Sequence, residues 1–176
     1  MTSTTRADDD GLGLIEFIVA IVITGIVIAA VATIFVNSWK TQEQVTTVTQ
    51  ATNRGQLVSS TIERAMRNAL YFEVTESGTV LRVRTSLTGE LKCQGFRITD
   101  TEAQFTTASA ALTSPNTAWP AWQSGIEKQG TTPYLARTTA GSVTYTFKIT
   151  TDASPVTFVG DVLPRSIQDT GSDGCW

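Results

Sequence analysis

The side chains that most often carry enzymatic chemistry are missing from this chain or lack their usual partners. Its 176 residues include no histidine, so the commonest general base and the commonest metal ligand are both absent. Serines and threonines abound, but a conventional Ser-His-Asp triad is excluded without histidine. The sequence contains no nucleophile elbow, phosphate-binding loop or dinucleotide fingerprint. We therefore predict a protein that is not an enzyme and that uses no cofactor and no metal.

The two cysteines, Cys93 and Cys175, are the next candidates for chemistry. In an oxidising compartment a single pair tends to become a disulfide, whereas a reducing compartment keeps both as thiols. A bridge would close a loop of about 80 residues and stabilise the fold by roughly 4 kcal/mol in the chain-entropy description. It would also hold the C-terminal tail, residues 169–176, on a predicted strand. We predict the disulfide, with two reduced thiols as the alternative.

A single carboxylate, Glu16, stands directly before an apolar run from Phe17 to Val36 that no charge interrupts. A helix needs roughly 20 apolar residues to cross ~30 Å of hydrocarbon, and this run is apolar on every face, unlike a core helix with one face in water. We therefore predict a membrane-spanning helix. A charge in such a helix costs on the order of 2.5–3.5 kcal/mol at its centre and less near its end. Glu16 either pairs with another group or lies among the lipid headgroups without a partner.

An ordinary secretory signal peptide is the competing interpretation of the same run. Ala30-Val31-Ala32 offers a small-residue cleavage site that would release a chain beginning at Thr33. The apolar run, however, exceeds the usual length of about 7–15 residues, and the segment before it should be basic. Here Arg6 is outnumbered by Asp8, Asp9 and Asp10. These features favour a retained span over a removed signal.

The segment Asp10-Gly11-Leu12-Gly13-Leu14-Ile15-Glu16-Phe17 resembles the type III signal of prepilins, in which a glycine precedes five residues ending in glutamate and then a long apolar helix. The resemblance implies that Gly11 is the last leader residue and that Leu12 is the first mature residue, with prepilin peptidase cutting between them and methylating the new amine. It assigns Glu16 to pairing with the N-terminal amine of a neighbouring subunit. Opposite charges that are poorly hydrated in lipid stabilise each other more than in water. The chain departs from the family in its acidic leader and at Gly13, where threonine is frequent.

The resemblance also implies a location and a set of partners. The chain would be a single-pass protein of the cell membrane with a cytoplasmic N-terminus, and it would then enter an extracytoplasmic filament. The acidic leader gives this orientation no support from the positive-inside rule. Its partners would be prepilin peptidase, other pilin or pseudopilin subunits, the membrane and an inner-membrane assembly platform.

After the span, the sequence predicts an amphipathic helix that continues to Phe72. Its apolar positions recur at steps of three and four: Val45, Val48, Val58, Ile62, Ala65, Met66, Ala69 and Leu70. Gly55 is a position for a bend. Gly25, inside the span, is either a close-packing position or a helix break of the kind that assembled pilin-like filaments show. The predicted divisions are a leader 1–11, a transmembrane and polymerisation helix 12–37, the amphipathic helix 38–72 and an extracytoplasmic domain 73–176.

The domain is predicted to be rich in β-strands. Alternating apolar residues predict strands at Val80–Ser86, Leu91–Thr99, Val143–Thr151 and Val156–Val159, with a bulge at Gln94-Gly95. Short polar turns favour an antiparallel meander with its apolar face on the helix. Residues 107–134 resemble a loop, in which Trp119 and Trp122 either pack on the domain or form a contact surface. The predicted fold class is α+β, a long N-terminal helix packed on a small antiparallel sheet.

Three functions follow from these features. The first is a structural subunit of a type IV pilus or a type II secretion-like filament, and Gln56–Val74 with the strands after it resembles minor pseudopilins. The second is a membrane-anchored binding module such as a DNA-uptake pseudopilin, with a modest basic face formed by Arg82, Arg84, Lys92 and Arg97. The third is a secreted soluble β-domain. A net charge of −3 and a pI near 4.9 argue against nucleic acid as a main partner.

Overall fold

The computed structural model describes residues 13–87, 89–113, 119–165, 171–172 and 174–176. It has one long helix, α1 (Leu14–Arg67), followed by antiparallel β-sheet, which confirms the predicted α+β class. The chain divides into two compact units, residues 1–43 and 44–176. The predicted leader, including Gly11, and the predicted first mature residue, Leu12, lie outside the described residues.

In the first unit, α1 presents apolar side chains that have almost no neighbours. Leu14 is 82% exposed and Phe35 is 63% exposed, and the apolar side chains between them are exposed as well. The helix contains an 18-residue window with a mean hydropathy of 2.9, none of which is buried. It is therefore long and apolar enough to cross a membrane. α1 runs through Gly25 without interruption, so the break predicted for an assembled filament stays a prediction.

In the second unit, the C-terminal part of α1 packs against two antiparallel sheets. The first sheet has five strands that neighbour one another in chain order: β1 (Ala69–Thr75), β2 (Val80–Leu87), β3 (Glu90–Ile98), β4 (Glu102–Ala108) and β5 (Ala121–Ser124). The second sheet contains β6 (Ile126–Glu127), β7 (Leu135–Arg137), β8 (Val143–Ile149) and β9 (Val156–Val162). β8 is its central strand, because it pairs with each of the other three.

The predicted periodicities place most of the core correctly. The apolar residues of β8 alternate as predicted, and all four are buried: Val143, Tyr145, Phe147 and Ile149. From the predicted helical stripe, four residues of α1 join the same cluster: Val58, Ile62, Ala65 and Met66. Val45 does not, since it is 60% exposed. The domain core thus lies between the last turns of α1 and the inner faces of the two sheets.

The prediction that the helix continues to Phe72 is wrong, because α1 ends at Arg67 and β1 begins at Ala69. The side-chain amide of Asn68 donates a hydrogen bond to the Arg64 carbonyl at 2.7 Å, which satisfies a carbonyl of the last turn. A short apolar run such as 69–72 suits a buried strand as well as a helix, so periodicity alone does not distinguish the two. Here Ala69 and Phe72 are both fully buried in β1.

Gly55 has a packing role that the sequence did not predict, and the bend at this position stays a prediction. α1 is one continuous helix through this position, and the ring of Phe158 on β9 lies directly against the Gly55 backbone. A Cβ atom at Gly55 would overlap three carbons of that ring. The glycine therefore lets the second sheet approach the helix closely.

We expect Gly55→Ala to lower the free energy of unfolding of the domain by about 1–3 kcal/mol, because the new methyl group overpacks the contact with Phe158. Urea unfolding of the full chain in detergent micelles, followed by near-ultraviolet circular dichroism, measures this loss. Gly25→Ala is the control in the same helix, since no side chain lies within 4 Å of its Cβ position.

A second variant separates overpacking from a general helix effect. Because the two residues touch, the losses caused by Gly55→Ala and Phe158→Ala should be strongly non-additive in the double variant. Additive losses would contradict the packing role of Gly55.

Candidate functional site

Glu16 lies in the first turn of α1, where the helix begins at Leu14. Its backbone N–H donates to the Gly13 carbonyl at 2.9 Å. Within the described part of the chain, its carboxylate has no hydrogen-bond or ion-pair partner. The helix N-terminus favours a negative charge modestly. The apolar neighbours Ile15 and Phe17 are 72% and 64% exposed, so they do not bury this carboxylate within its own chain.

The other end of the apolar segment carries an aromatic pair. The rings of Phe35 and Trp39 meet edge to face with centroids 6.0 Å apart, and Lys40 follows directly. Tryptophan and lysine are typical of the boundary between lipid and water. Twenty residues from Phe17 to Val36 rise ~30 Å at ~1.5 Å per residue, the thickness of the hydrocarbon layer. Such a placement leaves Glu16 at the edge of the hydrocarbon opposite to Trp39.

The predicted disulfide is present. Cys93 on β3 is bonded to Cys175, with the two Cα atoms 5.4 Å apart and a sequence separation of 82. The Cys175 carbonyl accepts a hydrogen bond from the Leu112 N–H at 2.8 Å, and Trp176 stacks on Tyr71 of β1 with centroids 5.8 Å apart. The bridge therefore holds the end of the chain on the outer face of the five-stranded sheet, the face turned away from α1.

The predicted bulge at Gln94-Gly95 is wrong, because β3 pairs in unbroken register with both β2 and β4 there. Alternation is lost because both faces of the strand are covered. Phe96 packs in the core under α1, while Trp119 lies over Gly95 on the outer face, so closely that a Cβ there would overlap its indole ring. Trp119 is 3% exposed.

The segment predicted as a loop, residues 107–134, contains two strands, β5 and β6. Trp122 lies on β5 and packs against Phe105 with ring centroids 5.3 Å apart. Together with the buried Trp119, this shows that both tryptophans pack on their own domain. The contact-surface alternative is therefore wrong for the buried Trp119, whereas for the half-buried Trp122 it stays a prediction.

The four cations proposed as a basic face do not share one face. The register of β2 and β3 places Arg82, Arg84 and Arg97 on the outer face, whereas Lys92 lies on the face toward α1. On the outer face, Arg84 is 1% exposed, Arg82 lies opposite Glu73 in the register of β1 and β2, and the Arg97 Nε lies 4.0 Å from a Glu76 carboxylate oxygen. This arrangement does not form the solvated basic face that nucleic-acid binding requires.

One polar contact between helix and sheet was not anticipated from the sequence. The Tyr145 hydroxyl donates to the Glu63 carboxylate at 2.7 Å, and the same carboxylate pairs with Arg67. Burial, followed by the hydrogen bond to Glu63, raises the pKa of Tyr145 to about 12. The hydroxyl therefore remains a neutral donor at physiological pH and ties β8 to α1. Within the described residues, no group of three acidic or cysteine side chains is placed to hold a metal ion.

We expect loss of the disulfide, in a Cys93→Ser/Cys175→Ser chain, to lower the free energy of unfolding by about 4 kcal/mol, because the bridge closes a long loop. Urea unfolding of the full chain with and without the substitutions measures the difference. Reduction of the unsubstituted chain should produce a similar loss, and a reductant should leave the double variant unchanged. Equal stability of the two chains would show that the tail does not depend on the bridge.

Comparison with protein-family models, with curated proteins and with solved structures finds no match to this chain. The functional conclusion therefore depends on the residues themselves and on their geometry.

Proposed function

We propose that the chain is a structural subunit, a minor pilin or pseudopilin, of a type IV pilus or a type II secretion-like filament. Prepilin peptidase removes residues 1–11, and the mature chain assembles through its N-terminal helix. The observation that carries the proposal is the carboxylate of Glu16. It stands without a partner in the described chain, at the start of a helical segment whose apolar side chains are all exposed.

A simple membrane anchor has no use for this carboxylate. At the edge of the hydrocarbon, Glu16 keeps part of its hydration, but lateral packing of apolar helices removes the remaining water. An unpaired charge then costs several kcal/mol, and an α-amino group on a neighbouring helix removes most of that cost. Processing after Gly11 creates such an amine at Leu12, four residues before Glu16. In the proposed filament, the pairing also fixes how far each subunit is shifted along the axis.

The disulfide bond of the domain supports an extracytoplasmic location. Disulfides persist in oxidising compartments, and the Cys93–Cys175 bridge is part of the outer layer of the domain. A single-pass chain with its domain outside the membrane has its N-terminus in the cytoplasm. This orientation places residues 1–11 on the side where prepilin peptidase acts in the family that the signal resembles.

The domain has the properties of a structural module. Its large apolar side chains fill one core between α1 and the sheets, and the outer sheet face is covered by the bridged tail and Trp119. The DNA-binding alternative loses its support, because its four cations are divided between two faces and three of them have acidic neighbours or are buried. We therefore favour the filament subunit.

We expect Glu16→Ala to leave membrane insertion intact and to lower incorporation into filaments by about a hundredfold or more, since removing one partner of a buried ion pair costs roughly 3–5 kcal/mol. Immunoblots of membranes and of sheared filaments, from cells that carry the assembly machinery, measure both quantities. Glu43→Ala, an exposed acid on the same helix beyond the apolar run, is the matched control. Unchanged incorporation of the Glu16→Ala chain would contradict the pairing.

A further inference from the structure

We propose that a small cleft between α1 and the five-stranded sheet binds a carboxylate side chain of a second copy of this chain. The cleft has a volume of about 230 Å³, and its lining includes Arg64 of α1 and Lys92 of β3. The inference rests on the proposed function, because copies must be neighbours in a filament for the contact to form.

Two positive charges reach this cleft without a counter-charge. Arg64 is exposed and Lys92 is half-buried, and neither side chain has a hydrogen-bond or ion-pair partner among the residues that the structure describes. Arg67, one turn further along α1, is already paired with Glu63 at 3.3 Å. Like charges that line one small space repel each other, and an anion placed between them relieves the repulsion through charge-assisted hydrogen bonds.

The other walls of the cleft suit a carboxylate on a short apolar stem. Gln94 is 7% exposed, and its amide donates to the Thr85 hydroxyl at 3.1 Å, which leaves its second N–H for a ligand. The side chain of Phe105 forms an apolar wall. Methylene groups of an aspartate or glutamate pack against such a wall, whereas inorganic phosphate has no group that would contact it.

The acidic surface of the same chain provides matching groups. The chain has 16 acidic and 13 basic residues, and the exposed side chains of Glu127, Asp152 and Asp161 lie on or beside the second sheet. The cleft belongs to the first sheet, so the contact joins two unlike surfaces. When such a contact is head-to-tail, it repeats along an open filament if the rotation does not close a ring. Two basic clefts placed face to face repel each other, so the charges disfavour a contact of cleft on cleft.

Carbodiimide cross-linking of the full chain tests this contact, because it joins a lysine amine to a carboxylate only where the two touch. Two copies with different tags after Trp176 are expressed together in cells that carry the assembly machinery. Dimers are captured through one tag and detected through the other, and mass spectrometry locates the bond. We expect Lys92 of one copy to be joined to an aspartate or glutamate of the other.

Two variants tie the cross-link to the cleft. Arg64→Gln should lower the yield of the Lys92-linked dimer by up to about fivefold, the effect of a partly exposed charge pair. Arg54→Gln, which removes an exposed arginine of the same helix that does not line the cleft, should leave the yield unchanged. Lys92→Arg should abolish the cross-link, because it removes the reactive amine. It should leave incorporation of the chain into filaments unchanged, because it retains the positive charge.

The proposal is overturned if Lys92 is joined only within one chain, only to another protein, or not at all. The proposal would also be overturned if duplex DNA, and not a second copy of the chain, protected the Lys92 amine from reaction. If no Lys92-linked dimer forms but Glu16→Ala still lowers incorporation into filaments, only the cleft contact is contradicted. If the Lys92-linked dimer forms but Glu16→Ala does not change incorporation into filaments, the Glu16 pairing is contradicted and the cleft contact is kept.

Discussion

The exposed apolar surface of the first part of α1 is the constraint on which the rest of this molecule depends. Transfer of a valine, leucine or isoleucine side chain from water to an apolar environment is favourable by roughly 1.5–3 kcal/mol, so a run of about 20 such residues cannot remain in water. Lipid covers this surface in a membrane, and neighbouring helices cover it in the proposed filament. The two environments differ chiefly in how well the Glu16 carboxylate is hydrated. At a membrane edge the carboxylate keeps water, whereas among packed helices it needs a counter-charge.

The domain is held together by a separate set of interactions. The five-stranded sheet is covered on both faces, by α1 on one side and by the bridged tail with Trp119 on the other. Two aromatic rings lie directly against glycines of the domain: Phe158 of the second sheet against Gly55 of α1, and Trp119 against Gly95 on the outer face of the five-stranded sheet. A side chain on either glycine would push the aromatic ring away from the backbone. Glycine therefore allows the two layers to pack closely at both places. The disulfide then joins Cys175, near the end of the chain, covalently to β3 on this outer face.

The sequence predicted the features that depend on local pattern. The apolar run, the alternation along β8 and the single pair of cysteines each led to a correct element or bond. Features that depend on a distant segment were missed or misjudged. The sequence around Gly55 does not predict the contact with Phe158. Likewise, the sequence around Gly95 does not predict that Trp119 covers the outer face of β3. Arg84 lies on the same outer face and is buried, although alternation alone placed it on a solvated face. The end of α1 was misplaced because an apolar run of four residues suits a strand as well as a helix. For the candidate site, local pattern was sufficient to identify Glu16, but no pattern in the sequence showed that Lys92 would join Arg64 in one cleft.

The most direct test of the central claim is the mass and N-terminal sequence of the mature chain isolated from native membranes or filaments. The proposed pairing requires a chain that begins at Leu12 with a methylated amine and lacks Met1 to Gly11. A functional mature chain that still carries Met1 to Gly11, or one that begins at Thr33, would contradict the account.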